Sequence, residues 1–458
     1  MNPPRFAWLC WWLVVSGLAG SPTGWSQAAA PANGNHVIVI SIDGFRPEFY
    51  LVGPKSKACE TLVELRTAGS CAKGALPPYP SVTYPGHATI VTGMLTARHG
   101  ITANSRFDPP ATEGRGFWFA NDLLATPLWD VAHRAGLTVG AVSWPTTAGS
   151  KSIDWNLPEF WTTALGSELV LMRQYATPGL VAQVEQSSGS MQTARGADAT
   201  HWDAFLTGAA TTIIQEHKPN LLYVHLLEAD KVQHKGGRLA PELPAAMRRL
   251  DNDLYEIVQA TKKAGIYETT TFIVLGDHGF SDVSDAVAPN VVLAGLGFIT
   301  QDKTGGEWKA MVQNTGGSAA VYLKDPKDAT TASQVRGLLT NRSFGQDGRR
   351  LYSIIDRDQL TRLGGPRDAA YCLEAEPGFM FVGVTTGEFV RKAPVKGNHG
   401  YLPDKPEMRT GFIAAGRGVK KGVVLDTGRL AAVAPTVSAL LGLEMQNTDG
   451  RVLKEILE

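Results

Sequence analysis

Apolar runs of strand length recur along the chain, and polar residues or glycine follow each of them within a few positions. The first run covers residues 36–42 and ends at Asp43-Gly44, which is typical of a buried parallel strand. Three later runs have a similar form, at residues 221–226, 271–275 and 410–414. Helical patterns lie between them, and the clearest covers residues 245–264.

Strands and helices that alternate in this way predict an α/β fold. We expect an open, mostly parallel sheet that is flanked by helices on both faces. Ligands bind such sheets beyond the carboxyl ends of the strands. Acidic residues and a histidine follow three of the runs within a few positions, namely Asp43, Asp230, Asp277 and His278. The site is therefore predicted at this edge of the sheet.

One long stretch interrupts the alternation. Residues from about 295 to 394 are rich in Gly, Asp, Lys and Thr and contain short alternating pieces such as residues 319–323. We interpret this stretch as a cap or subdomain inserted in a single catalytic domain over residues 31–458. The alternative is a long set of surface loops and edge strands.

The first residues are typical of a targeting segment. Arg5 precedes an apolar run over residues 6–19, and a polar stretch then ends in Ser26-Gln27-Ala28. A run of about 14 residues fits the core of a signal peptide and is shorter than the roughly 20 residues that span a bilayer. We therefore predict a signal peptide over residues 1–30, a secreted or periplasmic protein, and no transmembrane segment in the mature chain. A retained N-terminal anchor is the alternative.

The charge balance argues against a general nucleic-acid-binding surface, and the cysteine content limits which residues could bind a metal. Lys+Arg and Asp+Glu both total 43, so no global basic field is available to bind nucleic acid, and any phosphate chemistry must be local. Loss of residues 1–30 removes Cys10 and leaves Cys59, Cys71 and Cys372, an odd number that cannot pair completely. None lies in a Cys-x-x-Cys or Cys/His cluster, so a metal would have to bind His and carboxylates.

A set of carboxylates and imidazoles fits such a metal site. Asp230 and His234 are four residues apart, so a helical turn would place both on one face. Glycines flank His399 and allow close approach of the backbone. The complete set comprises Asp43, Asp230, His234, Asp277, His278 and His399. Six ligands without a thiolate suit two Zn²⁺ ions, and two metals about 4 Å apart form a clamp for phosphoryl transfer. Other divalent metals fit the same ligands.

A nucleophile for this chemistry is available in a segment that is rich in Pro and Gly. Residues 80–93, PSVTYPGHATIVTG, offer the hydroxyls of Ser81 and Thr83 just ahead of an expected helix N-terminus. Both the metal and the positive end of a helix favour an alkoxide. The residues alone leave Ser81 and Thr83 as equal candidates.

Five motifs in order resemble the nucleotide pyrophosphatase/phosphodiesterase family of the alkaline phosphatase superfamily. They are IDGFRPEF, PPYPSVTYPGHATIVTG followed by HGITAN, EADKVQH, GDHGF and GNHGY. The resemblance covers almost all of the chain after the signal peptide and implies an alkaline phosphatase-like fold. It implies one zinc at Asp43, Thr83, Asp277 and His278, and a second zinc at Asp230, His234 and His399. Thr83 would then be the nucleophile that forms a phospho-threonine.

The resemblance also implies substrate contacts. Asn104 would donate its amide to a nonbridging phosphate oxygen, and Tyr84 occupies the place of an aromatic that stacks on the nucleobase. A second stacking aromatic is Phe160 or Trp161. The chain departs from the family at Gly86, where Asn is usual, and at Thr146, which replaces the Gly of a Trp-Pro-Gly element.

The predicted function is hydrolysis of a phosphodiester or pyrophosphate bond in a small molecule, with nucleotides as the expected substrate type. A phosphomonoesterase is the alternative, but related monoesterases add a Lys-x-Arg pair, and Lys151 and Arg173 are isolated here. A non-catalytic binding protein on the same fold is a remote alternative, because all the ligands and the hydroxyl are present. Zinc content separates it from the enzymes.

Overall fold

The computed structural model describes Met1 and residues 34–51, 59–109, 115–161, 168–300 and 306–458. The strands are β1 (His36–Ile42), β2 (Ser70–Ala72), β3 (Ala75–Leu76), β4 (Val139–Val142), β5 (Trp155–Leu157), β6 (Leu221–Leu226), β7 (Thr270–Leu275), β8 (Ser281–Val287), β9 (Ile299–Thr300), β10 (Glu307–Trp308), β11 (Ala310–Asn314), β12 (Ser318–Leu323), β13 (Tyr352–Ile355), β14 (Tyr371–Ala375), β15 (Gly378–Phe381), β16 (Val390–Lys392), β17 (Gly397–Asn398), β18 (Phe412–Gly416), β19 (Val424–Leu425) and β20 (Gly428–Arg429).

The helices alternate with these strands. They are α1 (Glu48–Leu51), α2 (Glu60–Ala68), α3 (Thr83–Thr92), α4 (Thr96–His99), α5 (Leu128–Arg134), α6 (Glu168–Tyr175), α7 (Leu180–Ser188), α8 (Met191–Ala197), α9 (Ala199–His217), α10 (Glu228–Gly236), α11 (Leu243–Ala264), α12 (Pro289–Gly295), α13 (Ala329–Asn341), α14 (Arg357–Arg362) and α15 (Val433–Leu440). Short 3-10 helices cover Ala120–Asp122, Tyr267–Thr269, Pro406–Met408 and Leu430–Ala432.

The main sheet has eight strands in the order β19-β2-β18-β7-β1-β6-β4-β5. The central strand β1 pairs in parallel with β6 and with β7, and the parallel pairing continues from β6 through β4 to β5. Strand β18 runs antiparallel to β7 and starts at Phe412, two residues after the predicted start, because Thr410 pairs with Ala75 instead. The prediction of an open, mostly parallel sheet is confirmed.

Helices cover both faces of this sheet because its side chains alternate between two cores. Ile38 and Ile40 of β1 face a core that includes Leu250 and Leu254 of α11. Val37 and its neighbours on the other face join a second core with residues of α5 and α15. All seven residues of β1 are buried, so a continuous apolar run suits this strand. The predicted helix over residues 245–264 is α11, which begins two residues earlier.

The predicted insertion at about 295–394 contains a separate antiparallel sheet in the order β11-β12-β14-β13, which we call the second sheet. A further small sheet joins β15 and β16 to β8, which precedes residue 295. The core of this region takes residues from Val283 to Met408, so it begins ahead of the predicted boundary. Its assignment as a cap stays a prediction.

The predicted signal peptide over residues 1–30, apart from Met1, lies outside the described residues. No helix in the described ranges has both the length and the apolar character needed to cross a bilayer. Cys59, Cys71 and Cys372 are buried and unpaired, so no disulfide forms among the described cysteines.

Candidate active site

The carboxyl ends of three neighbouring strands bring the predicted ligands together. Asp43 directly follows β1, Asp277 and His278 follow β7, and β6 leads into the helix α10. Since these strands are adjacent and parallel, their carboxyl ends lie at one edge of the sheet. His399 reaches the same place from the loop after β17.

His278 lies at the centre of a first group of side chains. Its Nε2 atom is 3.2 Å from Oδ1 of Asp43 and 3.3 Å from Oδ2 of Asp277. The hydroxyl oxygen of Thr83 is 3.3 Å from the same nitrogen. Nδ1 of His278 lies 3.1 Å from the carbonyl of Gly279 and donates to it, which leaves the lone pair of Nε2 free for a metal.

A second group forms around Asp230, which shares α10 with His234. The Nε2 atoms of His234 and His399 lie 3.4 Å and 3.7 Å from Oδ1 of Asp230. Nδ1 of His234 donates to the carbonyl of Gly397 at 2.9 Å, which orients the ring in the manner of a metal ligand. The ligand atoms of Asp230, His234 and His399 lie within 4.8 Å of one another, as do those of Asp43, Asp230 and His278. Asp230 therefore faces both groups.

The electrostatics of the cluster fit a bound cation. Burial and the charge of Asp43 raise the pKa of Asp230 to about 6 and the pKa of Asp277 to about 7. Against burial, the charges of Asp277 and Asp43 raise the pKa of His278 to about 10. One buried oxygen on each of Asp43, Asp230 and Asp277 accepts no hydrogen bond from the described residues. Crowded carboxylates with free oxygens beside imidazole nitrogens are the donor set that zinc prefers, and a cation bound here would replace the protons that these side chains hold, so the residues fit the expected metal.

The two candidate nucleophiles differ in their surroundings. Thr83 is the first residue of α3, and its hydroxyl points into the first group of ligands. The hydroxyl of Ser81 instead donates to the carbonyl of Tyr401 at 2.7 Å. The positive end of α3 therefore acts on Thr83, whereas Ser81 is engaged in the loop.

The side chain of Asn104 lies next to this threonine. Its Oδ1 atom accepts a hydrogen bond of 3.0 Å from the backbone N–H of Tyr84. The amide NH₂ group makes no hydrogen bond to the described residues and so is free to donate. Asn104 therefore lies close to Thr83, and its role as a donor to a phosphate oxygen stays a prediction.

The predicted aromatic contacts lie in a packed cluster. Tyr84 is only 1 % exposed, and its hydroxyl accepts a hydrogen bond of 3.0 Å from Nε1 of Trp161. The two rings meet edge to face, so a base could stack on Tyr84 only after Trp161 moved. Phe160 is 2 % exposed, whereas Trp161 is partly exposed. Substrate contact by Tyr84 stays a prediction.

Two buried histidines that are not candidate metal ligands, His87 and His225, contact Thr83 and Asp43. Nε2 of His225 is 3.3 Å from Oδ2 of Asp43, and its Nδ1 lies 3.1 Å from the carbonyl of Ser143. Nδ1 of His87 donates to the carbonyl of Thr83 at 2.8 Å. These contacts orient a ligand and the nucleophile without touching the metal position.

Sequence reasoning missed Glu159. This carboxylate follows β5 at the same edge of the sheet, and burial raises its pKa. One of its oxygens is buried and has no hydrogen-bond partner in the part of the chain that the structure describes. Its charge also raises the pKa of Tyr84, which burial has already shifted upward. The sequence signal was weak: Glu159 lies two residues beyond the three-residue strand β5, as Asp277 lies two residues beyond β7.

The chain matches the family model for type I phosphodiesterase/nucleotide pyrophosphatase over residues 37–402. Its relatives include an uncharacterized pyrophosphatase/phosphodiesterase of Schizosaccharomyces pombe, 26% identical over 54% of this chain and 45% of the relative. Ectonucleotide pyrophosphatase/phosphodiesterase family member 1 of Homo sapiens is 21% identical over 90% of this chain and 40% of its own length. The chain thus spans less than half the length of these curated relatives.

Solved structures show the same fold. Human ectonucleotide pyrophosphatase/phosphodiesterase 5 superimposes with a TM-score of 0.66 at 20% identity, over 92% of this chain and 100% of that one. The murine protein, as an inactive variant in complex with AMP, gives a TM-score of 0.64 at 20% identity, over 93% and 100% of the two chains. Because the family model matches residues 37–402, most of the chain, the chain belongs to the type I phosphodiesterase/nucleotide pyrophosphatase family of hydrolases.

Proposed function

We propose that this protein hydrolyses phosphodiester or pyrophosphate bonds, with nucleotides as the expected substrate type, through a covalent intermediate on Thr83. The observation that carries this proposal is the position of the Thr83 hydroxyl, at the N-terminus of α3 and 3.3 Å from Nε2 of His278. A hydroxyl at the positive end of a helix, among ligands that fit a divalent cation, is activated as a nucleophile. Small-molecule phosphoesters suit a site of this kind in a chain without net charge.

The proposed ligands divide between two zinc ions. Asp43, Thr83, Asp277 and His278 would hold one ion, and Asp230, His234 and His399 the other, with Asp230 near both. When bound, zinc supplies Lewis acidity that favours the alkoxide and stabilises negative charge on the leaving oxygen.

The residues of the chain carry out the remaining steps. Oγ1 of Thr83 releases its proton to solvent and bonds to phosphorus while the bond to the leaving oxygen breaks, and the leaving group departs as an anion that solvent protonates. The free NH₂ group of Asn104 donates to a nonbridging oxygen, on which charge develops in the transition state. Water then attacks phosphorus, the bond to Thr83 breaks, and the threonine hydroxyl regains a proton.

The lack of a Lys-x-Arg pair between residues 144 and 190 supports a diesterase over a monoesterase. A monoester carries one more negative charge at the phosphorus, and a free cation near the site would favour it. Arg173 bonds instead to Oε1 of Glu185 at 2.6 Å, and Lys151 is exposed. We further propose that the predicted signal peptide at residues 1–30 directs the protein to secretion or to a periplasm.

The decisive experiment compares kcat/KM for bis-p-nitrophenyl phosphate and p-nitrophenyl phosphate in zinc-containing buffer. We expect a preference for the diester that Thr83→Ala abolishes. A preference for the monoester would contradict the diesterase assignment, and equal activity of Thr83→Ala and the wild type would contradict the mechanism. Zinc content that stays at zero after reconstitution would favour a binding protein instead.

A further inference from the structure

The turn between β11 and β12 of the second sheet contacts the loop that carries His399. The backbone N–H of Gly317 donates to the carbonyl of His399 at 2.7 Å. A Cβ atom added to Gly316 would lie 2.4 Å from that same carbonyl oxygen, and one added to Gly400 would lie 1.8 Å from the carbonyl oxygen of Thr315. The two backbones therefore touch with no room for a side chain on either of them.

The second sheet fixes this turn firmly. The backbone N–H of Ala375 in β14 donates to the carbonyl of Gly317 at 2.8 Å, and that of Phe381 in β15 donates to the carbonyl of Gly316 at 2.7 Å. Hydrogen bonds between Thr315 and Ser318 close the turn itself. The position of the turn is thus set by strands that belong to the inserted region.

The residues after His399 are anchored to the same region. The hydroxyl of Tyr401 donates to the carbonyl of Phe379 at 2.6 Å, and the ring is 1 % exposed. A Cβ atom on Gly317 would lie 2.2 Å from this ring. The backbone N–H of Leu402 also donates to the carboxylate of Glu374 in β14 at 2.9 Å. Segment 399–402 is therefore hydrogen-bonded to the inserted region at His399 and again at Tyr401 and Leu402.

The ring of His399 depends on this support more than the other two imidazoles do. His234 and His278 each bond through Nδ1 to a backbone carbonyl, which orients the ring. Nδ1 of His399 is buried and faces the backbone of Ser81, but it makes no well-aligned hydrogen bond to any described residue. Its ring is placed by its backbone and by stacking on His278, with ring centroids 3.7 Å apart.

We propose that Gly317 is a positioning residue for the metal held by Asp230, His234 and His399, so that the second sheet sets the zinc affinity of this group without contacting the ion. The inference rests on the proposed function, because it needs His399 to be a ligand. A side chain at residue 317 displaces Tyr401 and with it the backbone that aims the His399 ring. Substitutions that disturb the support of a metal-binding histidine weaken metal binding by about 10- to 100-fold.

The test measures zinc alone, by equilibrating the full chain at a series of buffered free-zinc concentrations and counting bound ions. We expect Gly317→Ala to weaken one zinc equivalent at least about tenfold and to leave the other equivalent unchanged. The matched control is Gly337→Ala in α13 of the same region, where an added Cβ atom meets nothing within 4 Å. His399→Ala identifies the equivalent that is affected.

The outcomes distinguish failure of the positioning role from failure of the proposed metal site. Wild-type binding of both zinc equivalents by Gly317→Ala, with only a lower Tm, overturns the positioning role while His399→Ala still weakens one equivalent. Unchanged binding by His399→Ala overturns the proposed metal site and the inference with it. If Gly317→Ala does not fold, Tyr401→Phe is the second variant, because it removes only the hydrogen bond to the carbonyl of Phe379. We expect Tyr401→Phe to weaken the same zinc equivalent. Wild-type zinc binding by Tyr401→Phe overturns the inference.

Discussion

The backbone N–H of Tyr84 donates to Oδ1 of Asn104 at 3.0 Å, so the residue that follows the candidate nucleophile orients the candidate phosphate donor. An amide held through its oxygen must present its NH₂ group elsewhere. Thr83 and the donor of Asn104 are thereby fixed relative to each other through a single peptide unit. This hydrogen bond pre-organises the Asn104 amide, which would stabilise the negative charge that develops on a nonbridging phosphate oxygen.

We expect Asn104→Ala to lower kcat by about 10²- to 10³-fold with a smaller change in KM, because the lost hydrogen bond strengthens in the transition state. Steady-state kinetics with a diester measures both constants. Ser105→Ala is the control, since its hydroxyl makes no hydrogen bond among the described residues, and it should retain near wild-type rates. A loss confined to KM would contradict a role in the transition state.

The covalent intermediate is expected on Thr83 and not on Ser81. Acid quenching during turnover, followed by peptide mass spectrometry, locates the phosphoryl adduct. Ser81→Ala should still form the adduct on Thr83, while losing about 1 kcal/mol of stability with its bond to the carbonyl of Tyr401. An adduct on Ser81, or an adduct in Thr83→Ala, would assign the nucleophile elsewhere.

Exposure separates the two candidates for the second stacking aromatic. Trp161 is partly exposed, whereas Phe160 is 2 % exposed and packs between Trp118 and Tyr175. We expect Trp161→Ala to raise KM for a nucleoside diester about tenfold relative to a diester without a base, since base stacking contributes about 1–3 kcal/mol. Phe160→Leu should lower Tm and leave that ratio of KM values unchanged. The opposite pattern would favour Phe160.

Stability of the metal-free protein should depend on pH through the buried carboxylates. The pKa values of Asp230 and Asp277, raised to about 6 and about 7, lie above the roughly 3.9 of an unfolded aspartate. These two carboxyl groups then bind more protons in the folded state than in the unfolded state between about pH 4 and 7, so their contribution to the free energy of unfolding falls as pH rises through this window.

Chelator-treated protein is therefore expected to show a lower Tm at about pH 8 than at about pH 5. Zinc should raise Tm more at the higher pH, because it replaces the protons on its ligands. Scanning calorimetry at both pH values, with and without zinc, measures the two shifts. An equal zinc-induced shift at both values would contradict binding through these carboxylates.

Local sequence patterns were sufficient to predict the α/β sheet and the set of candidate ligands. Runs such as residues 36–42 are continuous and apolar because both faces of a central strand are buried, and this pattern is local. The acidic residues that end these runs mark the ligand edge for the same reason. Helical spacing likewise placed Asp230 and His234 together on α10.

The contacts that hold the candidate ligands and the loop before Thr83 in place became visible with the folded structure. Gly317 touches His399 from 82 positions away, His225 approaches Asp43 from 182 positions away, and Ser81 is engaged by Tyr401. The burial of Tyr84 beneath Trp161 also depends on strands that meet only in the folded chain. Burial and hydrogen bonding of this kind depend on distances between remote segments, which no local pattern of residues encodes.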